Sequence, residues 1–441
     1  MTDNTTRFIQ RRKRLMSQMG GGIALINSAG MTVDPTLHDM NLFYLTGSPS
    51  RSAFLLLAPN GARVEWWASR KGSQVGRGEM VSEILFVEEM SEFERDLSGE
   101  SQDFESIRHE TGVERVYGLS QMNGILSEAL MAEETLWVNL PAMPDITQPP
   151  APHTVWLNTL IQHFPWVRIR NIALHIHAMR RVKDDYEIHC LRTAYQIKTE
   201  IFETIMRRLK PGCNEALGEA IWEYETRLRG NHVASFVNET NQHRLMVAAG
   251  RNSVIPHYTS NDAEIQDGDL VLIDGGLAYH GYSADISRTF PANGKFTPRQ
   301  RHLYEIVLEA QNLAIASMKP GSTQKIAHQV IYEHFKKHNL EEYGFGIYGH
   351  AIGLNIHDAI SMTRMDRDQP FEPGMVFAVE PFLSIPEEGI GIRIEDGVLI
   401  TETGSERLVG PPRETREVEA VCSGQSRTSS NIPSPARQTF G

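Results

Sequence analysis

Residues 270–290 read LVLIDGGLAYHGYSADISRTF, two apolar runs that each carry one aspartate, Asp274 and Asp285, eleven positions apart. Aliphatic and aromatic residues with little helical periodicity make LVLID and YSADISRTF strands. The spacing predicts two adjacent antiparallel strands joined by the short connection GGLAYHG. On such a pair the carboxylates face each other. Unpartnered, they repel and one takes up a proton, whereas a bound cation removes that penalty.

Further along, the sequence adds groups of the same kind. His350 follows Tyr348-Gly349, and His357 comes seven residues later in GHAIGLNIHD. Glu380 closes the strand MVFAVE just before Pro381, and Glu395 lies in GIGIRIED, where a charge between isoleucines is out of place in a buried strand. Buried carboxylates require a cation or several donors. Asp274, Asp285, Glu380, Glu395 and His350 make an oxygen-rich ligand set, which favours Mn(II), Fe(II) or Co(II) over the thiolate-rich sites of structural zinc. Each residue alone has an ordinary explanation: Asp274 as a turn residue, Asp285 as a cap, Glu395 as the ion-pair partner of Arg393. His175, His177, His280 and His328 stay in that class. The argument rests on the set.

Outside this region the first third alternates short apolar runs (IALI, AFLLLAP, VEWWA, ILFV) with segments of helical polarity such as FERDLSGESQDFESIRHE, which predicts a mixed α/β domain. The proline-rich stretch NLPAMPDITQPPAPHT, residues 139–154, cannot continue a helix or a central strand and reads as part of a connection between domains. The expected organisation is an N-terminal α/β domain over 1–170, a catalytic domain over 171–420 and a disordered tail over 421–441, rich in Ser and Pro. Within the second domain, Ile188, Leu191, Ala194, Ile197 and Ile201 recur at helical spacing until Lys210-Pro211-Gly212. Further helices are expected over 214–231, 298–321 and 323–338.

The 441 residues carry a formal net charge of -12 with no basic stripe interleaved with aromatics, so nucleic acid is not an expected partner. Cys190, Cys213 and Cys422 match neither a disulfide framework nor a zinc site, which fits a reducing, cytoplasmic compartment. No secretory signal or membrane-spanning stretch is apparent. The run RRKR, residues 11–14, reads as a solvated helix face.

The order of His257-Tyr258, DGG with GYSADISRTF, GHAIGLNIHD, EPGMVFAVEP and GIGIRIED resembles the pita-bread metallopeptidases, and among them aminopeptidase P, the Xaa-Pro aminopeptidases. The likeness runs from RFIQRRKRLMSQMGGGIALI and NLFYLTGSP to ITETGSERL. It implies a catalytic domain built on a curved antiparallel sheet with flanking helices, and a homodimer or homotetramer. By position, the resemblance makes Asp274 a chelating ligand of one divalent ion, puts His350 and Glu380 on a second, and lets Asp285 and Glu395 bridge them. Mn(II) is the expected metal, with Fe(II), Co(II) or Zn(II) as alternatives. His257 and His357 match two histidines that contact the scissile carbonyl and leaving group, and Arg393 an arginine that orients the site.

The implied reaction is hydrolysis of the first bond of a small peptide, Xaa-Pro by preference, by a hydroxide bridging two ions, with Glu380 moving the proton. This chain departs from the family pattern in three places. Gly346 stands where a further histidine is common, Phe382 where a glycine is frequent, and Ser384 where a tyrosine is. A remodelled pocket leaves open a non-peptide substrate, since some relatives of this fold are lyases or phosphoester hydrolases. An inert binding module fits less well, because the ligand positions are all filled.

Overall fold

The computed structural model describes residues 4–27, 40–48, 53–64, 79–99, 103–140, 152–230, 232–236, 245–346, 348–358 and 367–424. The chain divides into two compact units, Met1–Arg180 and Arg181–Gly441.

The first unit is built on a six-stranded sheet. Across it run Arg115–Gly118, Met80–Val87, Ala53–Arg63, Ile23–Asn27, Thr135–Val138 and Arg168–Asn171, with the middle three antiparallel and the outer pairings parallel. Ile23–Asn27 is buried at every position because helices cover both faces of a central strand, so IALI is continuous rather than alternating. Of the expected strands, VEWWA lies mostly outside the described residues. FERDLSGESQDFESIRHE is two helices, Glu92–Ser98 and Phe104–Thr111, the first stopped by Gly99 in the left-handed conformation at φ 70°.

Two expectations change here. The proline-rich stretch is internal to the first unit, because helix Pro152–His163 starts on its last residues, strand Arg168–Asn171 and helix Ala173–Arg181 follow, and the strand pairs with Thr135–Val138. The unit therefore extends to Arg180, ten residues beyond the expected 170. The RRKR run is only half solvated. Arg11 and Arg12 are buried, and Arg12 pairs with Glu83 at 2.8 Å while donating to the carbonyls of Leu45, Thr111 and Gly112. Four acceptors are what a buried guanidinium needs.

The second unit starts with the long helix Asp185–Arg208, capped by Asp184 and Glu187 in a reciprocal box. Helices Ala216–Leu228, Pro298–Ser317 and Gln324–Lys337 follow the sequence pattern. Strands Leu270–Tyr279 and Tyr282–Pro291 form one hairpin, with Val233–Phe236 and Met246–Ala249 also paired to its first strand. The strands run further than expected, and the turn is only His280-Gly281. Both residues have positive φ, 49° and 84°, as a type I′ turn requires. A second antiparallel sheet orders Gly349–Ala351, Val376–Val379, Asp396–Ile400 and Ser405–Arg407, and Phe382–Ile385 pairs with Ile390–Arg393.

The last helix, Thr415–Cys422, buries Val418, Val421 and Cys422. Ordered structure therefore continues past residue 420, where the tail was expected to begin, because these apolar residues have a surface to cover. The rest of that expectation, residues 425–441, lies outside the described residues.

Candidate metal centre

Hairpin register decides where the first two carboxylates point. Asp285 lies opposite Gly276, and Asp274 opposite Ser287. Side chains directly across an antiparallel pair share a face, as do residues two apart on one strand. Asp274, Asp285 and Ser287 therefore project from the same face, the aspartates as diagonal neighbours rather than directly opposed. The absent side chain of Gly276 leaves the space between them open.

The second sheet brings the other ligands. His350 pairs across with Ala378, and Glu380 follows that strand, its N–H donating to the Tyr348 carbonyl at 3.0 Å. Glu395 falls between Ile390–Arg393 and Asp396–Ile400, and its backbone N–H reaches the Ser287 carbonyl at 3.1 Å. That bond ties the second sheet to the hairpin. His350 Nε2 lies 3.6 Å from Asp285 Oδ2, 3.7 Å from Glu380 Oε1 and 4.0 Å from Glu395 Oε1. Ligand atoms of Asp285, His350 and Glu395 all lie within 4.8 Å of one another. The cluster reaches Asp274 through Ser287, whose Oγ is 2.9 Å from Asp274 Oδ1 and 2.6 Å from Glu395 Oε2.

All five expected ligands thus meet in one place. Their electrostatics fit cations. Burial drives the carboxyl of Glu395 well above its ordinary range, reinforced by Asp285, Glu380 and Asp274. Glu380 is pushed up to about 7, first by burial, with His350 and Arg393 opposing. Burial also raises Asp285, against the pull of Lys198. Only Asp274 falls: burial would raise it, but Arg393, Lys198, the Ser287 hydroxyl and His257 together outweigh that. Glu395 Oε1 is buried without a hydrogen-bond donor among the described residues. An orphaned carboxylate oxygen beside three more carboxylates suits divalent ions with oxygen ligands.

The surrounding groups divide by position. Arg393 donates through Nη2 to Asp274 Oδ2 at 2.7 Å, through Nε to Ser287 Oγ at 3.0 Å and through Nη1 to the Pro256 carbonyl at 3.0 Å. It pairs with Asp274 rather than with Glu395, as the sequence alone allowed. The Pro256 contact fixes the segment that carries His257. Partial burial of that imidazole, followed by the Arg393 charge, lowers its pKa. The His357 ring stands edge-on to His350 with centroids 4.2 Å apart, and burial followed by the two neighbouring histidines lowers its pKa to about 3.

The departures from the family pattern also have places. Phe382 is buried with Met246, Ala248 and Leu272, and Tyr258 packs on them. Its ring lies 5.4 Å from the Arg393 guanidinium and 6.5 Å from Phe345, the neighbour of Gly346. Ser384 donates to the Val254 carbonyl at 2.9 Å. Two residues of the site escaped the sequence reading. Ser287 links Asp274 and Glu395, and Lys198 reaches the hairpin from the long helix. Lys198 falls on the stripe of Leu191, Ala194 and Ile201, but its acceptors on the hairpin come from far along the chain.

Comparison with known proteins places the chain in a family. The model of metallopeptidase family M24 matches residues 189–402, and that of the aminopeptidase P N-terminal domain matches residues 8–137. The Xaa-Pro aminopeptidase of Escherichia coli is 37% identical over 273 residues, 56% of this chain and 60% of that protein. The Xaa-Pro aminopeptidase of Haemophilus influenzae is 29% identical across 93% of this chain and 96% of its own length. The structure of Pseudomonas aeruginosa aminopeptidase PepP superposes with a TM-score of 0.79 at 28% identity, covering 95% of this chain and 98% of that one.

Fold and site define a metal-dependent peptidase in which a mixed α/β unit precedes an antiparallel catalytic unit in the sequence. The chain belongs to the M24 metallopeptidases of the aminopeptidase P type, a class of metallo-aminopeptidases. Among the described residues no helix is long and apolar enough to cross a membrane.

Proposed function

We propose that the chain is a dinuclear metallo-aminopeptidase that releases the N-terminal residue of short peptides with proline second. The observation that carries this is the convergence of Asp285, Glu380 and Glu395 on His350, with Asp274 joined to them through Ser287 and one buried Glu395 oxygen lacking a donor among the described residues. Asp274 would serve one ion, His350 and Glu380 the other, and Asp285 and Glu395 both, with Mn(II) the first candidate. When bound, the ions supply Lewis acidity, which brings the pKa of a water down towards about 7 and polarises a carbonyl.

The chain's own groups then divide the work. Glu380, side chain 21% exposed, can take a proton from the attacking water and return it to the leaving nitrogen. His257 and His357, whose lowered pKa values keep them neutral, each offer one N–H to the negative charge that grows on the carbonyl oxygen. Arg393 holds Asp274 in place. The substrate's cationic amino terminus is attracted by the same carboxylates, which limits cleavage to the first bond. The names of the E. coli and H. influenzae relatives support proline preference. Three cysteines free of disulfides support a reducing, cytoplasmic setting, and a homo-oligomer is the expected assembly.

The test is digestion of Ala-Pro and Arg-Pro-Pro peptides, beside matched peptides lacking proline, with Mn(II) present and after chelation. Metal-dependent release of the first residue, faster before proline, is expected. No release from any peptide would end the peptidase reading, and equal rates on both sets would end the proline preference.

A further inference from the structure

Lys198 sits midway along the helix Asp185–Arg208, with no part of its side chain open to solvent. Its Nζ contacts the Gly275 carbonyl and lies 3.4 Å from both the Ala284 carbonyl and Asp285 Oδ1. It also stands 5.1 Å from the centre of the Phe202 ring, within cation–π range. One turn earlier on the same face, the Tyr195 hydroxyl accepts the Asp285 backbone N–H at 3.3 Å. The helix therefore grips Asp285 by main chain and side chain, on Oδ1, while Oδ2 faces His350 at 3.6 Å. Removing an ammonium from water is costly, so this one requires the carboxylate.

We propose that Lys198 is a positioning residue of the metal centre, a resident cation that orients Asp285 and offsets the charge of the cage before metal enters. The inference rests on the dinuclear reading above. The charge balance makes it specific. Asp274, Asp285, Glu380 and Glu395 bring four negative charges when ionised, and Lys198 and Arg393 return two, so one divalent ion already neutralises the set. A second ion would add its charge beside the Lys198 ammonium, which lies 3.4 Å from Asp285 Oδ1. Lys198 thus holds the metal-free cage together and weakens the binding of the second ion.

The experiment compares the full-length wild type with Lys198→Met by Mn(II) titration calorimetry and by thermal melting in chelator and in excess Mn(II). The variant is expected to melt several degrees lower in chelator, to recover most of that loss in Mn(II), and to bind its weaker ion at least tenfold more tightly. In chelator, Asp285→Asn should restore part of the loss in the double variant, because the two charges compensate each other. If Lys198→Met does not fold, Lys198→Gln is read in the same way. Equal losses with and without Mn(II), with affinities within twofold of wild type, would reduce Lys198 to a packing residue and overturn the inference. Should the wild type itself bind no Mn(II), it is the dinuclear reading that fails, and the inference with it.

Discussion

Arg393 pairs with Asp274, Nη2 to Oδ2 at 2.7 Å, although Glu395 lies only two residues along its own chain. The pairing crosses from the Ile390–Arg393 strand to the first strand of the hairpin, with Arg393 buried and Asp274 partly so. The same guanidinium holds Ser287 Oγ and the carbonyl before His257, so one side chain positions Asp274, the hydroxyl that joins it to Glu395, and the segment carrying His257. Lysine, a point charge, cannot reproduce that fork. Arg393→Lys is expected to cut kcat/KM roughly 10–100-fold, with metal retained less tightly, in line with other changes to residues that orient ligands. Paired measurements of kcat/KM and bound metal check it, and near-wild-type values for both would remove Arg393 from the site.

Of the five proposed ligands Asp285 has most at stake, because its oxygens face Lys198 on one side and His350 on the other. Asp285→Asn keeps the shape and removes the charge. It is expected to lower metal content and abolish peptide release in a chain that still folds, though less stably because Lys198 loses its counter-charge, checked by elemental analysis beside circular dichroism. A fully active Asn variant would contradict its place as a ligand.

How much of this was legible beforehand depends on what kind of signal each residue carried. Asp274 and Asp285 were readable because strand period and turn chemistry are local, and Glu395 because a charge among isoleucines has few explanations. Their mutual position was harder. The strands continue through Gly275-Gly276 to a two-residue turn, so the aspartates stand diagonally and not opposite, a consequence of register that the composition of the loop did not reveal. Arg11, Arg12 and Lys198 were hidden for another reason. A cation on a helix reads as solvated by default, and its burial depends on acceptors such as Glu83 or the Gly275 carbonyl, which come from distant parts of the chain. The proline-rich stretch misled because breakers mark the end of an element without saying whether the domain ends too.

His357 stands edge-on to His350 with ring centroids 4.2 Å apart, and among the described residues it lies outside the cluster of Asp285, His350 and Glu395. His357→Ala is therefore expected to keep the metals but lower kcat by about 10²–10³, the usual effect of losing one donor to a developing oxyanion. Metal analysis and steady-state kinetics together decide it. Loss of the metals would mean that His357 is a ligand.

Gly349 precedes the metal-site histidine with φ 149°, and a Cβ there would lie 2.2 Å from the Ala378 carbonyl oxygen. Backbone cannot give way as a flexible side chain does, and that carbonyl belongs to the strand paired with His350. Gly349→Ala is expected to cost about 2–4 kcal/mol, from overpacking and strain combined. Denaturant titration of the metal-free chain measures it. A cost under about 0.5 kcal/mol, the range of neutral surface changes, would show that the strand pair adjusts freely.

Glu380 links the site to pH. In the metal-free chain its carboxyl is raised from 4.5 to about 7, by burial first and by Asp285 and Asp274 as well. A ligand must be ionised, so Mn(II) binding at pH 6 is expected to expel protons from Glu380 and Glu395, and Mn(II) affinity to rise as pH passes through about 7. The sign for stability is the reverse. The folded chain binds this proton more tightly than the unfolded one, so the contribution is fully present below pH 4.5 and is lost as pH rises through about 7. The loss is on the order of 3 kcal/mol for a shift of this size. Melting of wild type and Glu380→Gln in chelator between about pH 5 and 8 isolates it, since the amide cannot ionise. Wild type should lose stability relative to the variant as pH rises; a constant difference between the two would mean that Glu380 is already ionised in the metal-free fold.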